Sequence, residues 1–192
     1  MMMGLPRSLP ILLAVGLGTL ACSSTEPAGP EPITLPIEWR FSDGLGGWTT
    51  HARTTGDGNG TATHDAGAGL VVLRGQGAPG VADAWLRRQV ALPDTDDYLW
   101  IDVEVTADCV TGGDNDTAGR ITVTGADGTV TDITDWERVT DYALPGRLLG
   151  GSLQDFAGET VTITIEQDDE GEQEDDGDDE ALCVAGVEIF LD

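Results

Sequence analysis

Strict alternation of aliphatic and polar residues constrains this chain more than any other feature. Leu99, Ile101, Val103 and Val105 alternate with Trp100, Asp102, Glu104 and Thr106. Ile121 and Val123 alternate with Thr122 and Thr124. Val161, Ile163 and Ile165 alternate with Thr160, Thr162, Thr164 and Glu166. A period of two is that of a strand with one buried face, and Val, Ile and Thr suit a pleated, half-buried surface. Val71 with Leu73, Leu86 with Val90, and Val184 and Val187 with Ile189 extend the set. The broken spacing at Ala185-Gly186 predicts a bulge in the last strand.

Turn signals separate these runs: Asp43-Gly44, Asp57-Gly58, Asn59-Gly60, Gly112-Gly113 and Asp127-Gly128. No segment sustains a helical period. The best helical candidate is the single turn 152–156, with Ser152 as its N-cap and Gly158 behind it. The pattern predicts an all-β fold, a two-sheet antiparallel sandwich in the form of a jelly roll, each sheet with one wet face. Residues 37–192 form the expected domain, with no internal repeat. A chain of that length buries roughly 70% of its unfolded surface and needs no metal to build a core.

The first 21 residues have the layout of an export signal. Arg7 supplies the positive end, and residues 9–20 form an apolar run too short to span a membrane's roughly 30 Å core as a helix. Thr19-Leu20-Ala21-Cys22 resembles the lipobox of bacterial lipoproteins, with Thr19 where the usual pattern has Leu. That resemblance implies cleavage before Cys22 and acylation of its sulfur and of the new amino terminus. Several acyl chains, at about 0.8 kcal/mol per buried CH₂, anchor a protein stably. Residues 22–36 then read as a Pro-rich tether, reaching roughly 40 Å if extended as polyproline II. Ser23 rather than Asp follows the cysteine, which resembles outer-membrane sorting in Gram-negative cells.

With Cys22 acylated, Cys109 and Cys183 remain, and two thiols in an exported domain read as one disulfide. The formal charge is −26, with no Lys and nine Arg. Such a surface repels nucleic acid and anionic headgroups, so neither is an expected partner.

Three segments resemble the galactose-binding-like jelly rolls, a group that includes many carbohydrate-binding modules. They are Phe41-Ser42-Asp43-Gly44-Leu45 with Gly47-Trp48-Thr49, residues 153–163, and residues 184–189. The resemblance implies the jelly-roll fold more than any ligand.

Five of the ten aromatics are Trp: Trp39, Trp48, Trp85, Trp100 and Trp136. Sugars lay apolar C–H faces on such rings while polar side chains fix their hydroxyls. Trp85 and Trp100 fall opposite the aliphatic positions, so an exposed stacking platform is expected from Trp85, Trp100 and Trp136, with Tyr142 as a further candidate. Arg87 would hydrogen-bond hydroxyls. Trp39 and Trp48 read as core or edge covers.

Residues 166–180 carry eleven carboxylates in fifteen positions, between two strand-like runs. The run reads as a solvated loop or a loose Ca²⁺ site, with Asp168, Asp169, Asp175, Asp176 and Asp178 as the ligands. An EF-hand register fails, because its twelfth position falls on Gly177 or Cys183 rather than Glu. Asp114-Asn115-Asp116 is a weaker acidic candidate. Catalysis has little to rest on. His51 and His64 lack spaced metal partners, and no nucleophile elbow or phosphate loop is present. The expected function is a membrane-tethered, non-catalytic extracytoplasmic binding domain. The alternative is a structural or protein-interaction lipoprotein of the envelope.

Overall fold

The computed structural model describes residues 34–54, 60–75, 81–106, 109, 116–140, 147–168 and 181–192. Within them, twelve strands form two antiparallel sheets. They are β1 (Ile37–Arg40), β2 (Thr49–Ala52), β3 (Thr61–Asp65), β4 (Leu70–Arg74), β5 (Ala84–Ala91), β6 (Leu99–Thr106), β7 (Asp116–Thr124), β8 (Val130–Asp132), β9 (Glu137–Thr140), β10 (Arg147–Ser152), β11 (Thr160–Asp168) and β12 (Ala181–Leu191). The first sheet runs β10-β6-β12-β4-β3, with β1 beside β12. The second runs β2-β5-β11-β7-β8, with β9 beside β7. The architecture is the expected all-β sandwich.

Alternation is what joins the layers. Ile101, Val103, Ile121, Val123, Ile163 and Ile165 are all fully buried, and all belong to one core cluster. Each such side chain contributes about 2 kcal/mol relative to exposure. Successive residues point to opposite faces, so these positions leave Trp100, Asp102, Glu104, Thr122, Thr162 and Thr164 on the outer faces. The register of β12 against β6 shifts between Val184 and Gly186, at the predicted bulge.

Trp48 is buried in the core, edge-on to Phe41 at 6.4 Å and to Trp39 at 5.6 Å. The domain begins earlier than β1. Leu35, assigned above to the tether, already packs against the core. The helical turn is also shorter than expected. It is a 3₁₀ turn over Gln154–Phe156, entered from Leu153. The Ser152 hydroxyl still accepts from the Gln154 backbone N–H at 3.2 Å, as a cap would.

One inward position breaks the aliphatic rule. Arg88 lies between Leu86 and Val90 on the buried side of β5. Its guanidinium sits 4.6 Å from the centroid of the Trp39 ring, a cation–π contact that offsets part of the cost of burial. Burial pushes the guanidinium below its usual range. The turn above it needs glycine, since Gly47 has φ +88° and a Cβ there would meet Arg88 Nη1 at 3.1 Å.

Candidate functional site

The outer face of the second sheet gathers most of the predicted binding residues. Antiparallel register sets His51 of β2 beside Trp85 of β5, Trp85 beside Glu166 of β11, and Glu166 beside Arg120 of β7. Trp136 leads into β9 and closes this row, with the Arg120 guanidinium 4.4 Å from its ring centroid. At a strand spacing of about 4.8 Å, the row from Trp85 to Arg120 covers roughly 10 Å.

Both tryptophans are backed by protein on one ring face. His51 stacks on Trp85 at 5.8 Å and 11°. The His51 ring is itself held by the Thr49 hydroxyl at 3.0 Å. Arg120 is held in turn: its Nε donates to Glu166 Oε2 at 2.9 Å, and Nη1 lies 3.4 Å from Asp132 Oδ1. Both Arg120 and Glu166 are more than three-quarters buried, so this pair is poorly screened. Rings fixed in this way lose little freedom when a ligand stacks on them. Trp85 and Trp136 remain part-exposed.

A second row lies beside the first, offset along the strands by roughly 6.7 Å. It runs Thr49, Arg87, Thr164, Thr122 and Asp132. Thr164 and Thr122 form its floor, each 2% exposed, so their hydroxyls are out of reach. Arg87 stands above that floor, exposed and without an ion pair among the described residues. Farther along β5 and β11, Gln89 and Thr162 face each other, one exposed and the other part-exposed. Arg87, Gln89 and Thr162 are thus among the reachable hydrogen-bonding groups of this face. Five donors on Arg87, an amide and a hydroxyl suit a ligand rich in hydroxyls.

The structure does not bring Trp100 to this face. It lies on the outer face of the first sheet, opposite Phe190 of β12 and Ser152 of β10. Its Nε1–H donates to Asp102 Oδ1 at 3.0 Å, and Tyr98 stacks on it at 6.4 Å. The cause is strand order: β5 and β6 follow one another in the chain but belong to different sheets. Trp85 and Trp100 therefore point away from each other.

Three members of the row, His51, Arg120 and Glu166, are not among the binding residues expected from the sequence. Glu166 carries a signal, the period-two pattern of β11, but it is also the first residue of the acidic run. Arg120 and His51 became site residues only through nonlocal pairing. Tyr142 and the acidic positions Asp169, Asp175, Asp176 and Asp178 lie outside the described residues, as do Asp114 and Asn115. Asp168 is described and is not a loop residue. It closes β11, 2% exposed and opposite Ala118, and its backbone carbonyl accepts from the Thr117 hydroxyl at 3.3 Å. Among the described residues no cluster of His, Cys, Asp or Glu could hold a metal ion. Of the two histidines, His51 stacks on Trp85, and the His64 ring is hydrogen-bonded to the Phe41 carbonyl oxygen at 2.7 Å. Cys109 and Cys183 are joined by a disulfide across 74 positions, with Cα atoms 6.2 Å apart.

No protein-family model and no curated protein matches the chain. Solved structures do. The second N-terminal cellulose-binding domain of β-1,4-glucanase C from Cellulomonas fimi superposes with a TM-score of 0.51 at 14% identity, covering 84% of this chain and 96% of that one. The xylan-binding module CBM15 superposes with a TM-score of 0.50 at 15% identity, covering 82% and 96%. At such identities the likeness concerns the fold: this chain has the β-sandwich of carbohydrate-binding modules.

Proposed function

We propose that this protein is a non-catalytic glycan-binding module, held outside the cytoplasm by a lipid on Cys22, with the outer face of the second sheet as its platform. One observation carries the reading. Two immobilised, part-exposed tryptophans flank a row across β5, β11 and β7, with Arg87, Gln89 and Thr162 beside them. A sugar chain lying across the strands would stack on Trp85 and Trp136 and offer its hydroxyls to those three side chains. The sandwich shared with cellulose- and xylan-binding domains supports the same use of the fold.

The test is retention on insoluble xylan and cellulose, together with retardation in gels containing soluble polysaccharides. Wild-type protein should be retained by at least one of them. Failure of every polysaccharide to retard it would favour the envelope-structural alternative. The anchor has its own test in a bacterial host fed a labelled fatty acid. Label should enter the wild-type chain and not Cys22→Ala, and an unlabelled wild type would remove the tether.

A further inference from the structure

The opposite face of the sandwich carries a groove of about 360 Å³ lined by Leu35, Pro36, Asp102, Glu188, Phe190 and Leu191. That volume is at the scale of a small-ligand site. Its apolar border extends to Trp100, which is paired with Phe190 across β6 and β12, and to Tyr98, which is stacked on Trp100.

The floor is charged in an unusual way. Asp102 of β6 stands directly opposite Glu188 of β12, and Glu188 stands directly opposite Glu38 of β1. Side chains so placed have Cβ atoms about 5 Å apart, and like charges there destabilise a sheet. Arg40, on the same face of β1, is already engaged by Glu38 and Glu104. Glu188 has no ion pair among the described residues. Asp102 uses one carboxylate oxygen to hold the Trp100 indole. Two adjoining carboxylates are thus left facing an apolar groove, without a protein cation between them.

We propose that this groove is a second binding site and that it takes a small organic cation, a primary ammonium on an apolar stem. The ammonium would sit between Asp102 and Glu188, donating to both and relieving their repulsion. The stem would lie along Phe190 and Leu191. Charge and shape together choose this occupant. A neutral apolar molecule would leave the carboxylates unrelieved, and a bare metal ion would leave the aromatic and aliphatic walls unused. The proposal is independent of the glycan reading, which concerns the other sheet.

The experiment follows tryptophan fluorescence of the purified protein during titration with n-pentylamine at constant ionic strength and neutral pH. A saturable change is expected, with 1-pentanol giving none. Glu188→Gln and Asp102→Asn should each weaken binding at least fivefold. The asparagine keeps a carbonyl oxygen for the Trp100 N–H. Asp43→Asn, which removes one charge outside the groove, should bind as wild type, and retention on polysaccharide should be unchanged in all three variants. Four results would overturn the proposal: equal response to 1-pentanol, equal weakening by Asp43→Asn, wild-type binding by Glu188→Gln, or equally tight competition by Mg²⁺ or Ca²⁺. Binding of a tetralysine peptide but not of pentylamine would also overturn it, by assigning the groove to a protein partner.

Discussion

In the row across β11, β7 and β8 on the outer face of the second sheet, charges meet their opposites across strands. Glu166 pairs with Arg120, Arg120 reaches Asp132, and aromatic rings close both ends of the row. On the outer face of the first sheet the corresponding row meets as likes: Asp102, Glu188 and Glu38 stand abreast, with Trp100 and Phe190 in the neighbouring row. Both faces obey the same pleat, and both present the polar half of an alternating pattern. The difference comes from which strand lies beside which. Paired charge on one face backs the Trp136 ring, whereas Asp102 and Glu188 on the other stand side by side without a cation between them. The chain's net charge of −26 says nothing of this division.

The faces also differ in what holds them, and several perturbations separate the two. The largest effect belongs to the first sheet. Cys183 pairs with Thr106 and Val72 there, and its bond to Cys109 closes a loop of 74 residues. Chain entropy assigns such a cross-link about 4 kcal/mol. Reduction should lower the denaturant midpoint accordingly while the folded fraction still binds polysaccharide. Loss of retention in protein shown to be folded would mean that the two faces are coupled.

Next in size is Arg120→Met. It leaves the part-buried Glu166 without its charged partner and Trp136 without its backing. A loss of about 2 kcal/mol in urea unfolding is expected, together with weaker polysaccharide retention. Wild-type stability would show that the row is not held by this pair.

A smaller effect is expected for Thr162→Val. The swap removes one reachable hydroxyl without altering the aliphatic core, so a two- to threefold loss of retention, roughly 0.5 kcal/mol, should appear with an unchanged melting point. No change in retention would move the ligand away from β11.

The smallest effect lies in the turn between β7 and β8. The Asp127 carboxyl is held below its ordinary value of 3.8, chiefly by the Thr129 backbone N–H and then by the Thr129 hydroxyl, each at 2.8 Å. A depressed pKa contributes stability above the unfolded value, and that stability is lost as pH falls through the folded one. Asp127→Asn should therefore lower the melting midpoint slightly at neutral pH, and the gap should close in strong acid. A gap that persists there would assign the effect to shape rather than charge.

Much of the sandwich was legible because its central strands are amphipathic. Period two located β6, β7 and β11 and told inside from outside along each. It could not show β10, whose Gly150 and Gly151 carry no aliphatic signal. There the chain needs the absence of a side chain, since a Cβ on Gly150 would fall 2.2 Å from Asp102 Oδ1. Arg88 is a charge on the aliphatic side of β5, and its remedy, a ring and a glycine turn from the chain before it, comes from nonlocal packing that no local pattern shows. The candidate site was legible only in part. Trp85, Arg87 and Trp136 were identifiable as residues, while their separation from Trp100 depended on strand order. The place of Trp136 beside Arg120 depends on the pairing of β7 with β9.

The most direct test of the central claim compares tryptophans on the two faces in the polysaccharide-retention assay. Trp85→Ala combined with Trp136→Ala should lose at least tenfold in retention, about 1.4 kcal/mol, whereas Trp100→Ala should bind as wild type. Retention that survives the double substitution and fails in Trp100→Ala would place the glycan on the first sheet and contradict the account.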